Sequence, residues 1–586
     1  MSESADLERS KPSGLRSLAL PVLVVLGVAI TLYGPTLGHD FVYDDARFIR
    51  DNARLEQIGN PLDFFTDPVT VDPSGGWEGI YRPLRTLSFA VDRQIFGVDP
   101  FGYHLVNLVL HAVASVLVLL VLRRILPSAG GAFIGAVLFA AHPAAVEAVA
   151  WATSRDNGLC LVFSLAALWI YLLRKDGVLG LTALALTFSL ALFGKEFAIA
   201  IPVFAVLAEV TIHGKDTGGL RAFARGLGRR WRAWATLAVV GLVYLFLRYE
   251  VLGEGSGQRT LWWDGSAEVT RLTAVEALAM YAARAFVPWW PAPVTFDYQV
   301  ALVRSVSDPA FLVSAVFVLG SIFAALFVRR RFPYVTLLVL WFWLALLPTA
   351  NLLFPINILF ADRFLYLSLV AASGLLGWLA ADLGRRMPRA SIAIVAVPFC
   401  AFFFLSAVNV DIWKSPQALW GNVLERFPDN PRALRAYAYS LSDGPEDRAR
   451  CRQLLEHALV VEPDFPPARR DLALLHLAEG RTEEGLQQLR ILVERHEASE
   501  VPQGFAEYVD ACHRLVLRLT DQGRYREAVP YGERLLRAAP DDPALRTALG
   551  ELYARMGQLS VARQYFEEAL RLDPGYAPAL RGIEEL

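Results

Sequence analysis

The chain has 586 residues, of which 55% are hydrophobic and 19% charged, with 14 Trp and 35 Phe. That is too apolar for a soluble multidomain protein of this length, and the long apolar runs point to the membrane class. A formal net charge of −2 excludes a globally basic, nucleic-acid-coating protein. The four cysteines, Cys160, Cys400, Cys451 and Cys512, form no C-x-x-C pair and predict neither a metal site nor a disulfide framework.

The first apolar stretch, from Leu18 to about Leu37, follows a basic start with Arg9, Lys11 and Arg16. It is long enough to span, and no small-residue cleavage site follows it. It therefore reads as an uncleaved signal anchor, with residues 1–17 as a cytoplasmic tail. Further apolar stretches run over Leu105 to Leu122, Ala132 to Val149, Leu159 to Leu173, Leu179 to Phe193 and Phe197 to Ile212. The remainder are Ala235 to Val251, Phe311 to Val328, Tyr334 to Leu347, Phe364 to Leu383 and Ile392 to Val408. Hydropathy thus predicts about eleven spans.

Arg123-Arg124, Arg174-Lys175, the Lys215 to Arg232 segment, Arg329 to Arg331 and Arg385-Arg386 all fall on the side of the N-terminus under alternating topology. The positive-inside bias makes that side cytoplasmic. The loops 38–103 and 253–309 are then extracytoplasmic, and so is everything after Val408.

The first of these loops opens with "HDFVYDDARFIRDN", His39 to Asn52. Its adjacent Asp44 and Asp45 fit a helix N-cap beside a membrane surface. They equally fit a carboxylate that takes a proton from an incoming hydroxyl. The same loop carries Arg82 in "GIYRPLRTLSFAVD". On the next span His104, Asn107 and His111 share one helix face. Three polar side chains are costly against lipid and predict a hydrated cavity, although a lone histidine is usually a satisfied core residue.

The turn "AAHPAAVEAVAWATSRDNGL" adds His142, Glu147, Trp151, Arg155 and Asp156. Glu147, Trp151 and Arg155 are i+4 neighbours if that segment is helical, and an interfacial helix with a local salt bridge is the simpler reading. "FGKEFA" supplies Lys195 and Glu196, and "NILFADRFLYLSL" supplies Asp362, Arg363 and Tyr366. Either pair alone fits snorkelling charges. Together, acids beside cations suit a nucleophile that must lose a proton and a phosphate that must leave. Arg82, Arg155, Lys195 or Arg363 would neutralise that phosphate. The implied substrate is a lipid phosphate reached from the bilayer.

From Asp411 onward charge rises and amphipathic periodicity replaces continuous apolarity. Leu549, Gly550, Tyr553, Ala562, Phe566, Ala569 and Pro574 stand at tetratricopeptide spacing. Pro540, Ala528 and Leu515 lie one period back, and Pro463 with Ala458 and Leu472 with Leu489 mark degenerate units. Residues 411–586 are predicted to form an α-solenoid of about four repeats behind a leading helix, with an insertion near Glu497 to Glu507.

Asp44-Asp45, "YRPL", "GYHLVNLVLH", "HPAAVEAVAWATSRDNGL", "GKE" and "ADRFLYL", followed by tetratricopeptide repeats, resemble the transmembrane and tetratricopeptide-repeat O-mannosyltransferases. That family lies within the GT-C class of polytopic glycosyltransferases. The resemblance covers nearly the whole chain and implies an all-α fold, a GT-C-type membrane domain over 18–410 followed by the solenoid. It implies inverting transfer of a sugar, usually mannose, from a polyprenyl-phosphate donor to Ser or Thr hydroxyls of a protein on the extracytoplasmic side. Asp44 is then the implied base and Asp45 its neighbour or support. His104, His111, His142, Glu147 and Glu196 join the four cations as the expected substrate-binding set. The family's "ERYLYLPS"-like stretch is here Ala361 to Tyr366, with Asp in place of Glu and no Pro-Ser end. Alanine- and arginine-rich usage suggests a bacterial member, in an inner membrane with its repeats in the periplasm.

No cofactor is expected, although adjacent aspartates can hold a divalent ion such as Mn or Mg. Membrane lipid is one expected partner, and the repeats predict a protein partner, either the acceptor or another enzyme; no nucleic acid is expected. Two other readings remain. One is a non-enzymatic membrane-anchored repeat scaffold. The other is a lipid-linked sugar transporter, for which Glu209 and Arg248, within or at the ends of spans, are the pertinent residues.

Overall fold

The computed structural model describes residues 16–71, 80–213, 228–253, 262–290, 294–356, 358–441, 444–498 and 504–586. Arg9 and Lys11 of the tail, most of the basic Lys215 to Arg232 segment and the middle of the repeat insertion lie outside them. The described residues are mostly helical and contain no strand. They divide into two compact units, Met1–Leu419 and Trp420–Leu586.

The first unit is that of an integral membrane protein. Six of its helical segments are long and apolar enough to cross a bilayer: Leu18–Gly38, Pro100–Ile125, Ala152–Leu172, Trp231–Leu252, Pro309–Phe327 and Pro388–Trp413. A seventh results if Ala129–Ala140 and Pro143–Ala150, bent by 53°, are one span. Val178–Gly194 and Pro333–Thr349 are apolar but shorter. The eleven predicted stretches therefore include some that are short or interrupted. Phe197 to Ile212 is a 3-10 turn, Glu196–Ala200, an eight-residue helix, Ile201–Ala208, and a π turn, Glu209–His213. Phe364 to Leu383 begins in the 3-10 turn Asp362–Leu365 and continues in the helix Leu369–Arg386.

Local chemistry explains where these helices start. Pro100–Ile125 and Pro309–Phe327 each begin with proline at the first helical position behind an aspartate, Asp99 or Asp308. Each aspartate accepts a backbone N–H in the first turn, of Phe101 and Ala310 respectively, so an orphan donor is satisfied. At 26 residues the first helix is about 39 Å long, more than the hydrocarbon core requires. On Pro309–Phe327, Val313, Val316, Phe323 and Phe327 are 71% to 89% exposed, an apolar face suited to lipid.

Helices Ala129–Ala140 and Leu369–Arg386 meet backbone to backbone. A Cβ on Gly377 would lie 2.3 Å from the Gly131 carbonyl oxygen, and one on Gly135 would lie 2.9 Å from that of Ser373. Small residues four apart permit this approach.

The two long loops of the sequence reading contain helices of their own, Pro83–Phe96 and Ala267–Phe286. Phe48, Ile49, Leu55, Phe64, Phe89, Ala90, Tyr103 and Ala152 form one buried cluster. It ties the acidic segment, Pro83–Phe96 and the turn at residue 152 into one body.

The second unit is a series of antiparallel helix pairs. They are Pro431–Tyr439 with Pro445–Val461, Pro466–Ala478 with Thr482–Ala498, Phe505–Asp521 with Tyr525–Ala538, and Pro543–Arg555 with Leu559–Leu572. The helix Ala577–Glu584 follows them. The signature positions Leu549, Ala562, Phe566 and Ala569 are at most 1% exposed. Gly550 allows close pairing, because a Cβ there would stand 2.6 Å from the Phe566 ring.

Candidate functional site

After the 3-10 turn Gly34–Gly38, His39 starts a stretch that ends at Tyr43 with φ of +50°. A tyrosine in the left-handed region costs on the order of 1–2 kcal/mol and needs support from its neighbours. The support is visible. The Val42 N–H donates to Asp45 Oδ2 at 3.0 Å, and the Asp45 N–H donates to the Val42 carbonyl at 3.0 Å. The Tyr43 ring packs against Trp151 and Phe296 at centroid distances of 5.6 and 4.9 Å.

The two aspartates have separate environments. Asp45 is fully buried, and its Oδ1 accepts both the backbone N–H of Thr153, at 2.7 Å, and the Thr153 hydroxyl. Burial pushes its carboxyl up to about 7, against the opposing effect of the bonds from Thr153 and Val42. Although Asp45 precedes the turn Ala46–Arg50, its side chain makes no capping bond there. It turns back toward Val42 and across to Thr153. Asp44 is partly exposed, and its carbonyl accepts the Phe48 N–H at 2.9 Å.

Residues 142–157 form the hub of this region. They are not one continuous helix but two 3-10 turns, Pro143–Ala145 and Ala152–Ser154, around the short helix Val146–Ala150, before Arg155–Leu172 begins. The expected Glu147–Arg155 pairing is consequently not made. Glu147 pairs with Arg363, accepting its guanidinium and, at 3.0 Å, its backbone N–H. Arg155 is wholly buried, 2.5 Å from Asp92, and donates to Asn107 Oδ1 at 3.1 Å and the Tyr103 carbonyl at 3.0 Å. Burial raises the Asp92 carboxyl, while Arg155 draws it back. The Asn107 amide reaches the carbonyls of Trp151 and Ala152 at 3.0 and 3.2 Å, holding the turn that presents Thr153.

Arg82, Asp156, Lys195 and Glu196 come together in a second cluster. Arg82 pairs with Asp156 at 2.6 Å and with Glu196 at 2.8 Å, and Lys195 lies 3.3 Å from Asp156. The Lys195 ammonium also donates to Asn157 Oδ1 at 2.8 Å. Burial pulls the Lys195 ammonium down to about 8 despite Asp156. Burial alone would raise Glu196, but the Arg82 guanidinium holds it well below the usual carboxylate range. Of the four expected phosphate-binding cations, Arg82 and Arg363 keep some side-chain exposure, 18% and 13%. Arg155 and Lys195 are enclosed.

The three histidines are core residues here. His111 Nδ1 lies 2.7 Å from the Tyr366 hydroxyl and its Nε2 lies 3.2 Å from the Ala140 carbonyl. His142 accepts the Ala144 N–H on Nδ1 and lies 2.9 Å from the Ala285 carbonyl through Nε2. His104 is buried with its ring edge-on to His39 at 6.0 Å. Glu209 lies 3.3 Å from Arg174, near the 2.7 Å pair of Arg230 with Asp176.

The tetratricopeptide-repeat family model matches residues 519–583. The chain is 33% identical over 324 residues to protein O-mannosyl-transferase Tmtc1 of Drosophila melanogaster, covering 51% of this chain and 37% of that one. It is 24% identical over 596 residues to human protein O-mannosyl-transferase TMTC3, covering 94% of this chain and 64% of that one. The chain is similar to the TMTC proteins. It spans between about a third and two thirds of the length of these two relatives. Among solved structures, an oligosaccharyltransferase of Archaeoglobus fulgidus in complex with an inhibitory peptide and a dolichol-phosphate aligns with a TM-score of 0.40 and 14% identity. That alignment covers 72% of this chain and 60% of the other.

Several residues of the site escaped the sequence reading. Thr153, Asp92 and Asn157 carry no pattern of their own and become visible only through their partners. Arg284 is another. It lies 3.3 Å from Asp362, whose carboxyl burial lifts to about 6, and the Tyr298 hydroxyl donates to that carboxyl at 2.9 Å. The helix Ala267–Phe286, which supplies Arg284, lies within the predicted loop 253–309.

Proposed function

We propose that this chain is an inverting membrane glycosyltransferase of the GT-C type. It moves a sugar, by homology mannose, from a polyprenyl-phosphate donor to a Ser or Thr hydroxyl of a protein. Asp44 accepts the hydroxyl proton, the oxygen bonds to the anomeric carbon, and the carbon–oxygen bond to phosphate breaks. The lipid phosphate leaves with that electron pair. Arg82 and Arg363, the two partly exposed cations, stabilise the charge it acquires.

One observation carries the assignment. Asp45 is buried and spends its oxygens on Thr153 and Val42, whereas its neighbour Asp44 stays partly exposed. The pair thereby divides into a support and a base. Because Asp45 already accepts three hydrogen bonds, we propose that the reaction runs without a metal bridging the two carboxylates. Activity lost to a chelator and restored by manganese or magnesium would overturn that part.

The proposed setting is a bacterial inner membrane, with the N-terminus cytoplasmic and Asp44 and the repeats on the periplasmic side. The repeats recruit the acceptor or a partner enzyme, since stacked helix pairs present extended protein-binding surfaces. The test is purified full-length protein with a panel of polyprenyl-phosphate sugars and an acceptor-peptide library, read by mass shift. Asp44→Asn is expected to abolish transfer with membrane insertion and repeat folding intact. Wild-type-like transfer by that variant rejects the assignment of the base.

A further inference from the structure

We infer that Thr153 is the positioning residue for Asp44, acting through Asp45 from the turn between the bent apolar helix pair and the helix that follows. The inference rests on the function proposed above and deepens it.

Asp44 stands between two clamps that come from the same short segment. On its N-terminal side the Trp151 ring packs against Tyr43, the residue held at φ of +50°. On its C-terminal side Thr153 gives Asp45 a backbone N–H and a hydroxyl on one carboxylate oxygen. The other oxygen takes the Val42 N–H, so residues 42–45 close on themselves while they are pinned to residues 151–153. With both neighbours fixed, the peptide planes on either side of Asp44 have little freedom. The clamps thereby constrain the backbone from which the Asp44 carboxylate projects.

The clamp is anchored in turn. The Asn107 amide holds the carbonyls of Trp151 and Ala152, Arg155 donates to Asn107, and Asp92 neutralises Arg155. Of these groups, the Thr153 hydroxyl is the last before the acidic pair. It is also the one whose removal leaves the backbone path intact. A fully buried carboxylate that loses such a donor must reorient or find another, and either response shifts its covalent neighbour. Positioning errors of about 1 Å at a reacting group cost on the order of 100-fold in rate.

The experiment uses full-length protein in nanodiscs with polyprenyl-phosphate mannose and an acceptor peptide that the wild type modifies. Thr153→Val, which keeps the shape and the N–H but not the hydroxyl, should lower kcat by about 10- to 100-fold. Both KM values should stay within about two-fold, because substrate contacts are untouched. Thr153→Ser should restore most of the rate, and Thr153→Ala gives the same readout if Val is not accommodated. Combined with Asp45→Asn, the Thr153→Val loss should largely disappear, since both act through one hydrogen-bonded unit. An unchanged kcat in Thr153→Val, or losses that simply multiply in the double variant, would overturn the inference. A wild type that transfers nothing to any acceptor removes the function proposed above instead. The clamp then has its own readout. Asp44→Cys should react faster with maleimide when Thr153 is also Val, and equal rates count against it.

Discussion

Glu147 and Arg363, 216 residues apart in sequence, are joined twice: by a carboxylate–guanidinium pair and by a 3.0 Å bond from the Arg363 backbone N–H to the same carboxylate. The backbone bond fixes where the turn Asp362–Leu365 begins, and the ion pair fixes where the guanidinium points. That guanidinium lies over the Trp151 ring at 5.4 Å, beside Tyr43.

Breaking this pair on one side should be costly. Glu147 is 4% exposed, so Arg363→Ala leaves a buried carboxylate with the backbone N–H but no counter-charge, a loss of about 3–5 kcal/mol. Thermal unfolding in detergent should show it as a clearly lowered midpoint. The double variant Glu147→Gln/Arg363→Gln should recover part of the loss, because no uncompensated charge remains.

Arg155 and Arg82 should respond differently although both are paired. Arg155 is wholly buried among Asp92, Asn107 and the Tyr103 carbonyl, so Arg155→Ala is expected to cost about 3–5 kcal/mol and reduce the yield of folded protein. Arg82, paired with Asp156 and Glu196, keeps 18% of its side chain exposed. Arg82→Ala should lower kcat/KM for a lipid-phosphate donor by about 100-fold with a smaller loss of stability. Kinetics and unfolding measured on the same preparations separate the two.

Acid should reduce activity through Asp45. The three hydrogen bonds it accepts favour its ionised form, and burial raises its titration to about 7. Transfer is therefore expected to be full above that value and to fall as pH drops through it. The stability sign is opposite. The folded value lies above the ordinary value of about 4, so Asp45 favours folding below that value and loses this contribution as pH rises toward 7. Because the Thr153 hydroxyl holds the carboxyl down, Thr153→Val should move the activity midpoint upward. A midpoint that stays in place removes the link between the two residues.

In the repeats, Gly550→Ala should destabilise the last helix pair by about 1–3 kcal/mol, since its Cβ would meet the Phe566 ring at 2.6 Å. Limited proteolysis of the full chain should cut first near residues 540–575 in that variant.

The sequence by itself determined the class of this protein and the order of its parts. Apolar runs long enough to span, the amphipathic change after Asp411, and the small and aromatic residues of the last repeat are local patterns. Each follows from nearest-neighbour chemistry and needs no knowledge of distant partners. The tertiary structure decided which charges share a site. Glu147 meets Arg363 instead of Arg155 because residues 142–157 break into turns, and that break depends on how the segment packs against Asn107 and the acidic loop. Thr153 was invisible for the same reason: a threonine becomes a carboxylate ligand only when the fold brings Asp45, 108 residues earlier, within hydrogen-bond reach. The division of labour between Asp44 and Asp45 was also a matter of burial, which adjacent identical side chains cannot show until the chain has folded around one of them.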